Sequence, residues 1–127
     1  MDYIEASNPF WGAVINDMKI DLTHKMIRFD LTAIDEGRKT NHILEINDYT
    51  SLIWIEKTPE THNSYDFSSC NYYEFTSIVF RDVHAYSNDK WLSQYIMNYN
   101  IIIEIWESAL LIQSSAIIID GTEYCFN

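Results

Sequence analysis

Cysteine, basic residues and long apolar runs are all scarce in this chain of 127 residues. Its two thiols, Cys70 and Cys125, have no short spacing that would suit a zinc knuckle and are too few for a disulfide framework. Both are therefore expected to be reduced, with Cys125, between Tyr124 and Phe126, packing as a small apolar residue. Lys and Arg number 8 against 19 Asp and Glu, a formal net charge of -11. Such a balance repels phosphate backbones and anionic headgroups, so neither nucleic acid nor a membrane is expected as a partner. A basic protein is, because opposite net charges steer encounter. Purely apolar runs, such as Ile101 to Ile103, fall far short of a membrane span. The opening stretch MDYIEASNPFWG has no basic segment leading into an apolar core, so no secretory signal is read there and a cytoplasmic location is expected.

The chemistry-bearing patterns are missing too. There is no glycine-rich phosphate loop, no small-residue elbow around Ser68-Ser69-Cys70 or Ser114-Ser115, and no run of alternating carboxylates of the calcium-loop kind. His24 falls in a turn beside Lys25 and reads as an exposed side chain. His42 and Glu45, three apart in a strand, point to opposite faces and cannot form a local metal pair. Asp82 and His84 share a face, one half of a catalytic arrangement, but no nucleophile or oxyanion donor accompanies them. The expectation is a protein that is not an enzyme and uses no cofactor or metal.

What is present is apolar and aromatic: hydrophobic residues make up 47% and aromatics 15%, enough for one folded domain over residues 1–127. Asn8-Pro9 reads as the start of a brief helix leading into Phe10, Trp11, Val14 and Ile15. From Met18 the period becomes two, with Met18, Ile20 and Leu22 and then Ile27, Phe29, Leu31 and Ala33 on one face of a hairpin. A turn at Glu36-Gly37-Arg38-Lys39 precedes strands at Asn41 to Asn47 and Ser51 to Glu56. Lys57 to Asn71 is a polar loop. Tyr72 to Val83 is a strand with apolar residues on both faces, hence central. Ser87-Asn88-Asp89 caps a short helical stretch. The isoleucine-rich end, from Asn100 to Phe126, reads as three strands with a hairpin turn at Asp120-Gly121. The fold class is mainly β: an antiparallel sheet, sandwich or partly open barrel with one or two short helices.

Aromatic side chains gather around the polar loop. Trp54 precedes it, and Tyr65, Phe67, Tyr72, Tyr73 and Phe75 lie along or after it, together with Glu60 and Asp66. Rings with a polar rim are the composition favoured at protein interfaces. Glu60, Tyr65, Asp66, Phe67, Tyr72 and Tyr73 are thus the expected partner-binding residues, although rings filling the core of a small β domain are the competing explanation.

Trp11-Gly12 with Ile15, Ile20-Asp21 opening a hairpin, Tyr73-Glu74-Phe75-Thr76-Ser77-Ile78, Ile105-Trp106-Glu107-Ser108 and Ile119-Asp120-Gly121 form a pattern that resembles the small YxiG-type proteins of Bacillus and relatives. It spans about Phe10 to Phe126. The resemblance implies a cytosolic immunity protein that binds and neutralises a cognate toxin, and it assigns no functional residue. Two other classes stand beside that one. Rings directed inward around a void would mark a small-molecule-binding β-barrel or sandwich; a nucleophile in reach of Asp82-His84 would mark a hydrolase.

Overall fold

A computed structural model describes residues 2–56, 72–81 and 99–126. The first helix, α1 (Tyr3–Ser7), is capped by Asp2, whose Oδ1 accepts from the Glu5 N–H at 2.8 Å. A single 3-10 turn, Asn8–Phe10, follows with Pro9 at its start. The helix expected from Asn8 is therefore no more than this turn, and Val14 and Ile15 belong to a strand. Gly12 ends the turn: its φ of 79° redirects the chain. Its N–H donates to the Phe75 carbonyl at 2.8 Å, which starts the pairing of the first strand.

Among the described residues nine strands follow: β1 (Ala13–Asp21), β2 (Met26–Asp35), β3 (Arg38–Asn47), β4 (Ser51–Ile55), β5 (Tyr73–Phe80), β6 (Ile101–Ile105), β7 (Ser108–Gln113), β8 (Ala116–Ile119) and β9 (Thr122–Cys125). They form one antiparallel sheet in the order β4-β7-β6-β5-β1-β2-β3-β8-β9. The fold is mainly β, as expected. At Glu36-Gly37 and Asp120-Gly121 both central residues have positive φ, the type I′ geometry that matches strand twist. The C-terminal stretch holds four strands and not three, because Trp106-Glu107 turns the chain between β6 and β7. No glycine, proline or asparagine marks that turn, and Trp106 itself takes the left-handed conformation at φ 52°.

Two short connections force the sheet to curl. Ser114 and Ser115 alone link β7, second in the order, to β8, eighth in the order. In a flat sheet, strands six places apart would be separated by roughly 29 Å, whereas three residue steps reach about 11 Å. Asp48, Tyr49 and Thr50 make the corresponding jump from β3 to β4. The sheet bends until its ends approach, and among the described residues β4 and β9 are not paired with each other, so these strands do not close into a barrel. Buried Asn100 and Ser114 secure the crossing: Asn100 Nδ2 donates to the Ser114 carbonyl (2.8 Å), Ser114 N–H donates to Asn100 Oδ1 (3.1 Å), and Ser114 Oγ reaches the carbonyls of Asn47 and Ala116.

The inner face of the curl is the core. Ile27, Phe29, Leu31 and Ala33 of β2 are buried together with Leu44, Ile46, Phe75, Ile78, Ile101, Ile103, Leu110, Ile112, Ile117 and Ile119. Phe10, on the 3-10 turn, and α1 residues Tyr3 and Ala6 pack against the same interior. Phe29 and Phe75 meet edge-to-face at 5.3 Å, and Phe10 and Phe75 at 5.9 Å, the offset geometry aromatic quadrupoles prefer. A second cluster, Tyr99, Ile102, Ala109 and Leu111 with Ile53 and Ile55, lies on the outer face of β4, β7 and β6.

Candidate functional site

Register brings one end of four adjacent strands together. Ile55 pairs with Ala109, Ser108 with Ile105, and Ile105 with Phe75. The residues just beyond these pairs, Glu56, Trp106, Glu107, Tyr72 and Tyr73, therefore form a continuous rim, with Trp54 one step inside it. Trp54, Tyr72 and Tyr73 are 41%, 45% and 66% exposed. For rings of this size such exposure is the informative exception, since aromatic side chains are mostly buried on average.

The rim is held by specific contacts. Trp54 Nε1–H donates to Glu56 Oε2 at 2.7 Å, fixing ring and carboxylate side by side. Ser108 Oγ donates to the Glu56 carbonyl, tying the end of β4 to the start of β7. The Trp106 N–H donates to Thr76 Oγ1 at 2.9 Å and its indole N–H to the Tyr72 carbonyl at 3.3 Å. Its ring lies 5.6 Å from that of Tyr72. A tryptophan at φ 52° costs roughly 1–2 kcal/mol, and such strain persists only where surrounding contacts hold it. The ionisable side chains here, Glu56, Glu74 and Glu107, are acidic; no lysine or arginine accompanies them among the described rim residues.

A step in the sheet adjoins the rim. β1 pairs with β5 only through Ala13, Val14 and Ile15 opposite Phe75, Glu74 and Tyr73, then runs on to Asp21 alongside β2 alone among the described residues.

The sequence profile of the YxiG-like protein family matches residues 4–124. The chain belongs to that family. No curated protein and no solved structure matches it. In this YxiG-like chain the motif residues of the resemblance mostly form turns and strands: Gly12 starts β1, Trp106-Glu107 and Asp120-Gly121 are hairpin turns, and Phe75 is core. No helix among the described residues is long and apolar enough to cross a membrane.

Of the six expected partner-binding residues, Tyr72 and Tyr73 are brought to the rim. Glu60, Tyr65, Asp66 and Phe67 lie outside the described residues, as do the Asp82-His84 pair and the helical stretch after Ser87. Trp106 was not expected on the rim, because its position there depends on the β6–β7 turn, which its sequence conceals. Cys125 is exposed and not packed: β9 ends the sheet, and the thiol faces Glu123 at 3.5 Å, whose carboxylate raises its pKa. Among the described residues no group of three or more His, Cys, Asp and Glu side chains could hold a metal ion.

One histidine is more engaged than its spacing suggests. His42 Nδ1 lies 2.8 Å from Asp120 Oδ2, and His42 Nε2 lies 2.9 Å from Thr40 Oγ1. The order hydroxyl, imidazole, carboxylate has the form of a catalytic relay. Asp120 is committed elsewhere, however: its Oδ1 accepts from the Ile43 N–H at 2.8 Å, and its own N–H donates to the Ile43 carbonyl at 2.9 Å. The Phe10 ring packs edge-on against the imidazole at 5.6 Å. The cluster clamps the β8–β9 hairpin to β3, which the ladder joins only through Leu44–Ile119 and Glu45–Ile118. Glu45, on the opposite face as expected, reaches Arg28 instead.

Proposed function

We propose that this YxiG-like chain is a cytoplasmic immunity protein, which binds a cognate basic toxin domain and blocks it without chemistry of its own. The observation that carries this reading is the exposed set Trp54, Tyr72 and Tyr73 beside Glu56 and Glu107. Rings kept in solvent at a fixed position are the anchors that binding energy concentrates on, and carboxylates around them steer a cationic surface and stand where phosphates would lie in a nuclease cleft. The small-molecule alternative asks for rings lining a void. Phe10, Phe29 and Phe75 instead contact one another inside the curl, which favours a protein partner.

The test is growth. Cells producing the toxin domain encoded beside this chain's gene should survive when the chain is co-expressed. The pair Glu56→Lys and Glu107→Lys should slow association and flatten its salt dependence, while Trp54→Ala with Tyr73→Ala should mainly speed dissociation. Glu60→Lys with Asp66→Lys, and Tyr65→Ala or Phe67→Ala, extend the same two arms to the other expected partner-binding residues. Death of the cells despite the wild-type chain would overturn the proposal.

A further inference from the structure

We propose that Trp54 and Glu56 form a docking site for one arginine side chain of the partner, with the guanidinium stacked on the indole face and donating to the second oxygen of the carboxylate. This rests on the binding function proposed above and names the group that the partner presents.

Local structure prepares the pair. Trp54 lies in β4 and Glu56 just beyond its end, two residues apart, so both side chains leave the backbone on the same side. The Ser108 hydroxyl holds the Glu56 carbonyl, and Trp54 stands opposite Leu110, a core residue. At 41% exposure the ring is backed by protein over part of its surface and meets water over the rest. It is a supported platform.

One hydrogen bond decides what that platform accepts. The indole has a single donor, Nε1–H, and it is committed to Glu56 Oε2 at 2.7 Å. What the pair still offers is the electron-rich ring face and Glu56 Oε1, which has no ion pair or hydrogen bond among the described residues. Both attract cations, and neither can donate. An anion, or a neutral group that only accepts, finds nothing here to bond.

The same bond chooses between the two cationic side chains. Because Nε1–H points outward in the ring plane, its partner carboxylate is set at the edge of the indole. A planar guanidinium laid on the ring keeps its N–H groups pointing outward in its own plane, where Oε1 accepts; an ammonium has no plane to stack and is more strongly hydrated. The chain makes the stacking half of this contact inside its own fold, with Arg81 Cζ 4.3 Å from the centroid of the Tyr99 ring. Tyr72 and Tyr73 differ from Trp54 in carrying hydroxyls that both donate and accept. They anchor a partner without selecting its charge.

The probes are blocked tripeptides with glycine on each side of arginine, lysine or citrulline, titrated at matched ionic strength into the whole chain. NMR follows the Trp54 indole N–H and the Glu56 backbone N–H. The arginine peptide should shift both signals, and the lysine peptide should bind at least about threefold more weakly. Citrulline keeps the planar shape without the charge and should bind at least about tenfold more weakly. Glu56→Gln retains an acceptor for the indole N–H, and so the ring's place, but should weaken the arginine peptide about threefold. Trp54→Leu, read at the Glu56 amide, should abolish saturable binding. Equal binding of the arginine peptide and either of the others, shifts confined to other residues, no shift, or a Glu56→Gln variant that binds like wild type would each overturn the inference. If the site fails while the wild-type chain still rescues growth, the immunity function stands and the partner is held through another group. If the site takes arginine and growth is not rescued, the site stands and the immunity function falls.

Discussion

Strands β6 and β2 carry different apolar patterns and end in different environments. In β6 only Glu104 is not buried, and in β7 the run Ala109 to Ile112 is fully buried. In β2 burial alternates strictly from Met26 to Ala33. The block β4-β7-β6 carries apolar clusters on both faces, whereas β1-β2-β3 carries a polar ladder outside, Asn16 to Thr32 at 2.7 Å and Thr32 to Asn41 at 3.0 Å. A continuous apolar run signals a strand covered twice, and an alternating one a strand covered once.

Removing one outer-face side chain from each block tests this contrast most severely. Leu111→Ala should cost about 2–5 kcal/mol in urea denaturation, as cavity-forming changes in a packed core do. Thr32→Ala, on the same face of the other block, should cost at most about 1–2 kcal/mol, the net worth of its two exposed hydrogen bonds. A Leu111→Ala cost below that of Thr32→Ala would erase the distinction between the blocks.

Sequence patterning made β2 legible because its core face and its polar face alternate over a long span with turn residues at each end. The same logic overreached in β1, where Met18, Ile20 and Leu22 follow the core phase and yet Met18 and Leu22 remain exposed. Periodicity reports which face a residue shares, and only the neighbouring strand decides whether that face is covered. The exposed position of Tyr72 and Tyr73 was legible from composition, as rings next to a polar stretch of sequence. Trp106 and the His42–Asp120 clamp were not, because one depends on a left-handed turn with no glycine and the other on a contact between residues 78 positions apart.

The clamp sharpens the comparison at the far end of the second block. Asp120→Ala should cost about 1–3 kcal/mol, since it leaves the Ile43 N–H without its carboxylate acceptor and frees the imidazole. Asp120→Asn should cost less: asparagine tolerates the positive φ of this position and retains an acceptor oxygen. Equal losses in the two variants, read by thermal unfolding, would mean that charge and not geometry holds the hairpin.

A weaker effect belongs to the β1–β2 turn. The Asp21 carboxylate accepts from the His24 ring and from the backbone N–H groups of His24 and Thr23, and these bonds lower its pKa below the ordinary aspartate value. Its stabilising contribution is therefore present above an unfolded value of about 3.9 and is lost as pH falls through the lower folded value. Asp21→Asn should flatten the stability profile of that acid window and leave neutral pH nearly unchanged. An identical acid limb in the variant would show that other carboxylates govern it.

The smallest change in stability is expected where the largest change in binding is. Tyr73→Ala removes a ring that is mostly in water, so unfolding should shift by no more than about 0.5 kcal/mol. Trp106→Gly removes a second rim ring and at the same time gives the left-handed turn the residue that adopts it without strain. The lost contacts to Tyr72 and the relieved backbone oppose each other, so its stability should stay within about 1 kcal/mol of wild type. Partner capture should fall in both variants, more in Trp106→Gly if the rim is held together by that indole. If Trp106→Gly unfolds the chain like Leu111→Ala, the rim is an extension of the twice-covered core; if it binds like wild type while stable, the working surface lies elsewhere.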